Sequence, residues 1–163
     1  MKRLIAFVML LVCMFTLVAC SDNSNNSNNG SEKSVTVNIQ DVKKQILEKI
    51  DIVDPMDMTT ERACVQYYLD AADVKDTACV IAMGGAFPEE IIMIEAVDAD
   101  AAERVAEKLS AKLKDLLNQS AKYDADTNAL LQECSVVVDG NYVTLFIHAE
   151  HAQMREIFNA AKK

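Results

Sequence analysis

The break in character at Cys20 constrains this chain more than any other feature. Before it, Lys2-Arg3 leads into a run from Leu4 to Ala19 that is apolar except at Thr16. After it, Ser21-Asp22-Asn23-Ser24-Asn25-Asn26-Ser27-Asn28-Asn29-Gly30-Ser31-Glu32-Lys33-Ser34 contains no hydrophobic side chain. The apolar run falls short of the ~20 residues that a lasting membrane span needs, and its basic start is that of a cleaved signal peptide, residues 1–19. The polar run buries too little to offset the entropy of ordering it, so residues 20–34 are expected to form a disordered tether. At ~5–6 Å × √n, such a tether spans on the order of 20 Å. Folding is thereby confined to residues 35–163, near the usual size of one domain.

The net charge is −9 over the full sequence, and it grows more negative once Lys2 and Arg3 leave with the leader. Such acidity excludes a protein that grips nucleic acid through its phosphates. A lone apolar run excludes a multi-span membrane protein. On a cell envelope, an acidic domain repels anionic polymers and loosely attracts cationic groups.

Within the folding part, glycine and proline are scarce, four and two in the whole chain, which favours helices over tight turns. Val42, Ile46, Leu47 and Ile50 share one helical face, Asn38 is placed to cap its start, and Pro55 discourages helix at Asp54. A shorter helix is predicted from about Thr60 to Leu69, presenting Cys64, Tyr67 and Tyr68. The period then changes. Ala78 to Met83 and Glu90 to Val97 are short apolar runs around Gly84-Gly85-Ala86-Phe87-Pro88, which predicts a long-looped hairpin.

A long amphipathic helix follows, with Ala102, Val105, Leu109, Leu113, Leu116 and Leu117 as its stripe, and with Arg104, Glu107, Lys108, Lys112 and Lys114 away from it. Asp98 and Asp100 suit its N-terminus, and Asp100 with Glu103 has capping-box spacing. A connecting helix is expected from Asp124 to Glu133. Ser135 to Ile147 then reads as a tight hairpin about Asp139-Gly140, a pair that tolerates the positive φ angles of a type I′ turn. A last helix sets Met154, Ile157, Phe158 and Ala161 on one side. The expected fold is α+β: about four antiparallel strands as two β-hairpins, in the order α-α-β-β-α-α-β-β-α, with helices covering one face of the sheet.

Leu17-Val18-Ala19-Cys20 resembles the lipobox of bacterial lipoproteins. That resemblance implies that the Cys20 thiol is diacylglycerated, that the chain is cut before it, and that acylated Cys20 anchors the protein on the extracytoplasmic face of the cell membrane. Two acyl chains give stable anchoring where one does not. An ordinary cleaved signal or an uncleaved anchor helix would not call for the polar tether that follows. Further along stand Tyr68-Leu69-Asp70 before the first hairpin, Ile91 to Leu117 as strand and long helix, and Gly140-Asn141-Tyr142-Val143 entering the last strand. With these in this order, the chain from residue 1 to about 160 resembles the lipoproteins of the domain of unknown function 4358 family of Gram-positive bacteria. The resemblance implies a lipid-anchored, extracytoplasmic α+β domain and carries no catalytic residue across.

The side chains that could do chemistry have structural readings as well. Cys64, Cys79 and Cys134 are odd in number, so one bridge at most can form, and Cys79–Cys134 is the candidate pair. None belongs to a Cys-x-x-Cys, and small buried hydrophobes is the favoured reading. His148 and His151, flanking Glu150, are weak metal candidates: zinc needs a third protein ligand, and surface histidines is the favoured reading. Asp124-Ala125-Asp126-Thr127-Asn128 opens like an EF-hand loop but has Ala129 where glycine belongs and Ser135 where glutamate belongs, so helix capping is favoured. Neither a phosphate-binding glycine loop nor a Gly-x-Ser-x-Gly elbow occurs.

The expectation is a non-enzymatic binding or interaction domain for an envelope protein or small ligand, without a cofactor. Met83 and Phe87 mark its possible contact loop, against the plainer reading that Phe87 tucks into the core. The alternatives are an enzyme or accessory in cell-surface polymer modification, built on a pocket joining His148, His151 and acidic groups, and a ligand-capture component of a transport system.

Overall fold

The computed structural model describes residues 35–85, 87 and 89–163. The expected leader, Cys20 and the tether lie outside the described residues, as do Ala86 and Pro88 of the expected contact loop. The described elements run α1 (Ile39–Lys49), β1 (Pro55–Met58), α2 (Thr60–Tyr67), a 3-10 turn (Ala71–Asp73), β2 (Val74–Ala82), β3 (Glu90–Ala96), α3 (Ala99–Ser120), α4 (Ala125–Glu133), β4 (Val137–Asp139), β5 (Tyr142–Ile147) and α5 (His151–Ala160). None of the described helices is long and apolar enough to cross a membrane.

The strands form one antiparallel sheet of five, ordered β1-β2-β3-β5-β4. The expected order of elements holds with one strand inserted. β1 begins at Pro55 on the sheet edge, the place where a residue without an N–H is tolerated. Its register on β2, Pro55 opposite Ala82 and Met58 opposite Cys79, continues beyond the strand through bonds from the Met83 and Gly84 amides to the carbonyls of Asp54 and Val53. A side chain at Gly84 would collide with Val53, since a Cβ there would lie 2.6 Å from its Cγ1. At the far edge, Gly140-Asn141 turns the β4–β5 hairpin, with Asp139 already in β4 opposite Tyr142; Gly140 alone has a positive φ, +58, so the type I′ turn expected about Asp139-Gly140 is replaced by one with the single positive φ of type II′.

Helices cover both faces of the sheet, not one. On the upper face, Ala78, Val80, Ala82, Ile91, Met93, Tyr142 and Phe146 pack with Val42 and Ile46 of α1 and with Met154, Ile157 and Phe158 of α5. On the lower face, Cys79, Ile92, Ile94, Val143, Leu145 and Ile147 pack with Ala63 and Tyr67 of α2, Val105 and Leu109 of α3, and Leu131 of α4. The unbroken apolar run Ile91-Ile92-Met93-Ile94 follows from this, because a strand buried on both sides has no polar face to alternate with.

Helix starts agree with the side chains that cap them. Asn38 Oδ1 accepts from the Gln40 and Asp41 amides, and Asp124 Oδ1 accepts from that of Thr127. For α3 the cap is Asp98, whose Oδ1 accepts from the Ala101 amide at 2.8 Å, while Asp100 lies in the first turn. The cap thus falls on Asp98, two residues before the Asp100 of the Asp100–Glu103 capping-box spacing. The two ends of the domain meet: Thr36 and Lys163 exchange backbone hydrogen bonds of 3.4 and 3.2 Å. Next to them, the Val37 amide donates to the buried Tyr142 hydroxyl.

Candidate functional site

Between α2 and α3 lies a groove of about 440 Å³, lined by Tyr67, Tyr68 and Gln66 on one side and by Lys108, Lys112, Asp115, Leu116 and Gln119 on the other. Thr59 caps α2 by accepting from the Arg62 amide, and the helix ends at Tyr68 in the left-handed region, φ 55 and ψ 40. Glycine is the usual occupant of such a cap because it has no Cβ to clash. The reversal swings the side chain outward, so Tyr68 is 83% exposed while its neighbour Tyr67 is buried. The sequence groups the two on one helix face with Cys64; the left-handed cap separates them.

Beneath the groove sits a buried polar network that the sequence pattern does not reveal. Glu90, at the first position of β3, is 4% exposed. Its Oε2 accepts from the Tyr67 hydroxyl at 3.0 Å and its Oε1 faces Lys112 Nζ at 2.9 Å. The Lys112 ammonium also lies over the Tyr67 ring, 5.4 Å from its centre. Burial, reinforced by the adjacent Glu90 charge, pushes the Tyr67 phenol far up and keeps it a donor. Lys112, expected away from the helix stripe, is instead half-buried, because it stands three residues after Leu109 and four before Leu116, within reach of the lower face.

The other candidate residues are dispersed. His148 is buried, contrary to the surface position expected: its Nδ1 accepts from the Glu150 amide at 2.9 Å, and its Nε2 faces Glu89 Oε1 at 3.4 Å. His151 faces a different carboxylate, Glu133, at 3.6 Å. Among the described residues, no group of three or more His, Cys, Asp or Glu is gathered to hold a metal ion. The pocket that the polymer-modification alternative required, joining both histidines with acidic groups, is thus divided between two separate pairs.

Among the described residues, the thiols of Cys64, Cys79 and Cys134 are free and buried. The candidate Cys79–Cys134 bridge is not formed: β3 and β5 stand between β2 and the segment entering β4, and strands are spaced ~4.8 Å apart. Burial pushes Cys79 up to about 12 and also raises Cys64 and Cys134, which leaves poor nucleophiles. Asp124 accepts from both the amide and the hydroxyl of Thr127, the capping role preferred over an EF-hand. The expected contact loop is split, with Met83 60% exposed and Phe87 half-buried against the lower core.

Residues 48–148, more than half of the chain, match the family described as Domain of unknown function (DUF4358). The chain belongs to the DUF4358 family. The matched span runs from the end of α1 to the end of β5 and so contains all five strands, the groove and the Tyr67–Glu90–Lys112 network of this DUF4358 domain. No curated protein and no solved structure matches the chain.

Proposed function

We propose that this DUF4358 chain is a non-enzymatic binding module, anchored through acylated Cys20 on the extracytoplasmic face of the cell membrane, that holds an envelope component in the α2–α3 groove. The observation that carries the reading is Tyr68, an aromatic side chain held in a left-handed cap and left 83% exposed at the groove mouth. Non-glycine residues held in the left-handed region cluster at ligand-binding and active sites. The basic start, the apolar run, the Ala19-Cys20 junction and the polar tract to Ser34 support the location. The raised thiols and the separately paired histidines fit binding better than group transfer.

The test is a photo-activatable residue at position 68 in the native cell, with position 123 as control, since Tyr123 is exposed at the α3–α4 link. A discrete adduct from 68 and none from 123 is expected. Equal labelling, or none from 68, overturns the groove. Cys20→Ala should release the protein from the membrane fraction, and retention there would overturn the anchor.

A further inference from the structure

The groove combines an aromatic platform with a dense rim of hydrogen-bonding groups. Tyr68 offers an exposed ring; Gln66 and Gln119 add amides, Asp115 a carboxylate, and Lys108 and Lys112 ammonium groups, around the apolar patch of Ala111 and Leu116. The formal charges cancel, Lys108 and Lys112 against Asp115 and the Glu90 behind them, although the domain as a whole is acidic. Neither an anion nor a cation is favoured. A protein helix would ask for a longer apolar stripe than Ala111 and Leu116 supply. A pyranose has the matching chemistry: a face of C–H bonds that packs on an aromatic ring, edged by hydroxyls that both donate and accept. The volume, about 440 Å³, lies within the roughly 300–1,000 Å³ of small-ligand sites.

We propose that the α2–α3 groove is a site for a neutral saccharide, with Tyr68 stacked on a pyranose face and Gln66, Asp115 and Gln119 bonding its hydroxyls. The Lys112 ammonium spends one donor on Glu90 and has others for a ring or acetamido oxygen. Through Tyr67 and Lys112, the buried network fixes the floor before the ligand arrives, which lowers the cost of ordering on binding. The left-handed cap gives Tyr68 a fixed direction, so the platform is preformed as well.

This assignment rests on the reading of the domain as a binding module. Its test is calorimetric titration of the full chain in detergent micelles with two neutral probes, chitotetraose and cellotetraose, at millimolar concentration. Saturable binding of at least one is expected, weakened ~tenfold or more in Tyr68→Ala at an unchanged melting temperature and unaffected in Tyr123→Ala. Binding that survives Tyr68→Ala, or binding of neither probe, overturns the assignment. If neither probe binds while position 68 still crosslinks to an envelope protein, the saccharide is wrong and the binding module stands. If both experiments fail, both readings fall.

Discussion

Lys112 and Tyr68 act on the groove in opposite energetic senses. Replacing Lys112 by Met leaves the Glu90 carboxylate buried with only the Tyr67 hydroxyl beside it. The expected loss is about 3–5 kcal/mol, the cost of a buried charge deprived of its partner. Chemical denaturation measures it, and a loss below about 1 kcal/mol would mean that water already reaches the pair. Tyr68→Gly should do the reverse and stabilise the domain by roughly 1 kcal/mol, because the left-handed cap then carries no Cβ and no buried contact is given up. Thermal unfolding checks the sign. Phe87, a contact candidate by sequence, belongs with the structural residues: Phe87→Ala is expected to cost about 1–3 kcal/mol, below the figure for a fully buried ring because it is only half-buried. An unchanged melting temperature would return Phe87 to the surface.

At the level of elements, some of the fold was legible in the sequence and some was not, for identifiable reasons. The β4–β5 hairpin could be read because Gly140 meets a local backbone demand, a positive φ, that needs no knowledge of the rest. The long helix α3 could be read because its apolar stripe repeats over many turns. β1 was hidden: Met56-Asp57-Met58 is too short to establish a period, and Pro55 usually argues against a strand, except at an edge. The second helical layer was missed, although Ile91 to Ile94 carried its signal, a lack of alternation that means burial on both faces. The site was the least legible feature. Tyr68 reads as a third member of a helix face with Cys64 and Tyr67 until the cap turns it, and Glu90 reads as a strand boundary until Tyr67 and Lys112 close over it.

For the whole molecule, acid and alkali should act through different groups. Cys79 rises by burial from 9.0 to about 12, and Cys64, Cys134 and Tyr67 shift in the same direction. The unfolded chain therefore sheds protons that the folded one keeps, so stability is full below pH 9 and falls as pH rises toward 12. Cys79→Ala should flatten this limb in melting curves taken across that range; an alkaline limb unchanged by the substitution would remove Cys79 as its source. At the acid end, the Arg104 hydrogen bond holds Asp73, and the Thr127 hydrogen bonds hold Asp124, below the usual 3.8; what they contribute is present above that pH and lost as pH drops through their lowered values. The meeting of Thr36 and Lys163 has a mechanical consequence under the proposed anchorage. Tension along the proposed anchor passes the half-buried Val35 and then loads the two bonds that Thr36 exchanges with Lys163. The bond from Val37 to Tyr142 is loaded next, and only then the packing of α1. The seam between the ends thus yields before the core does, as a fuse.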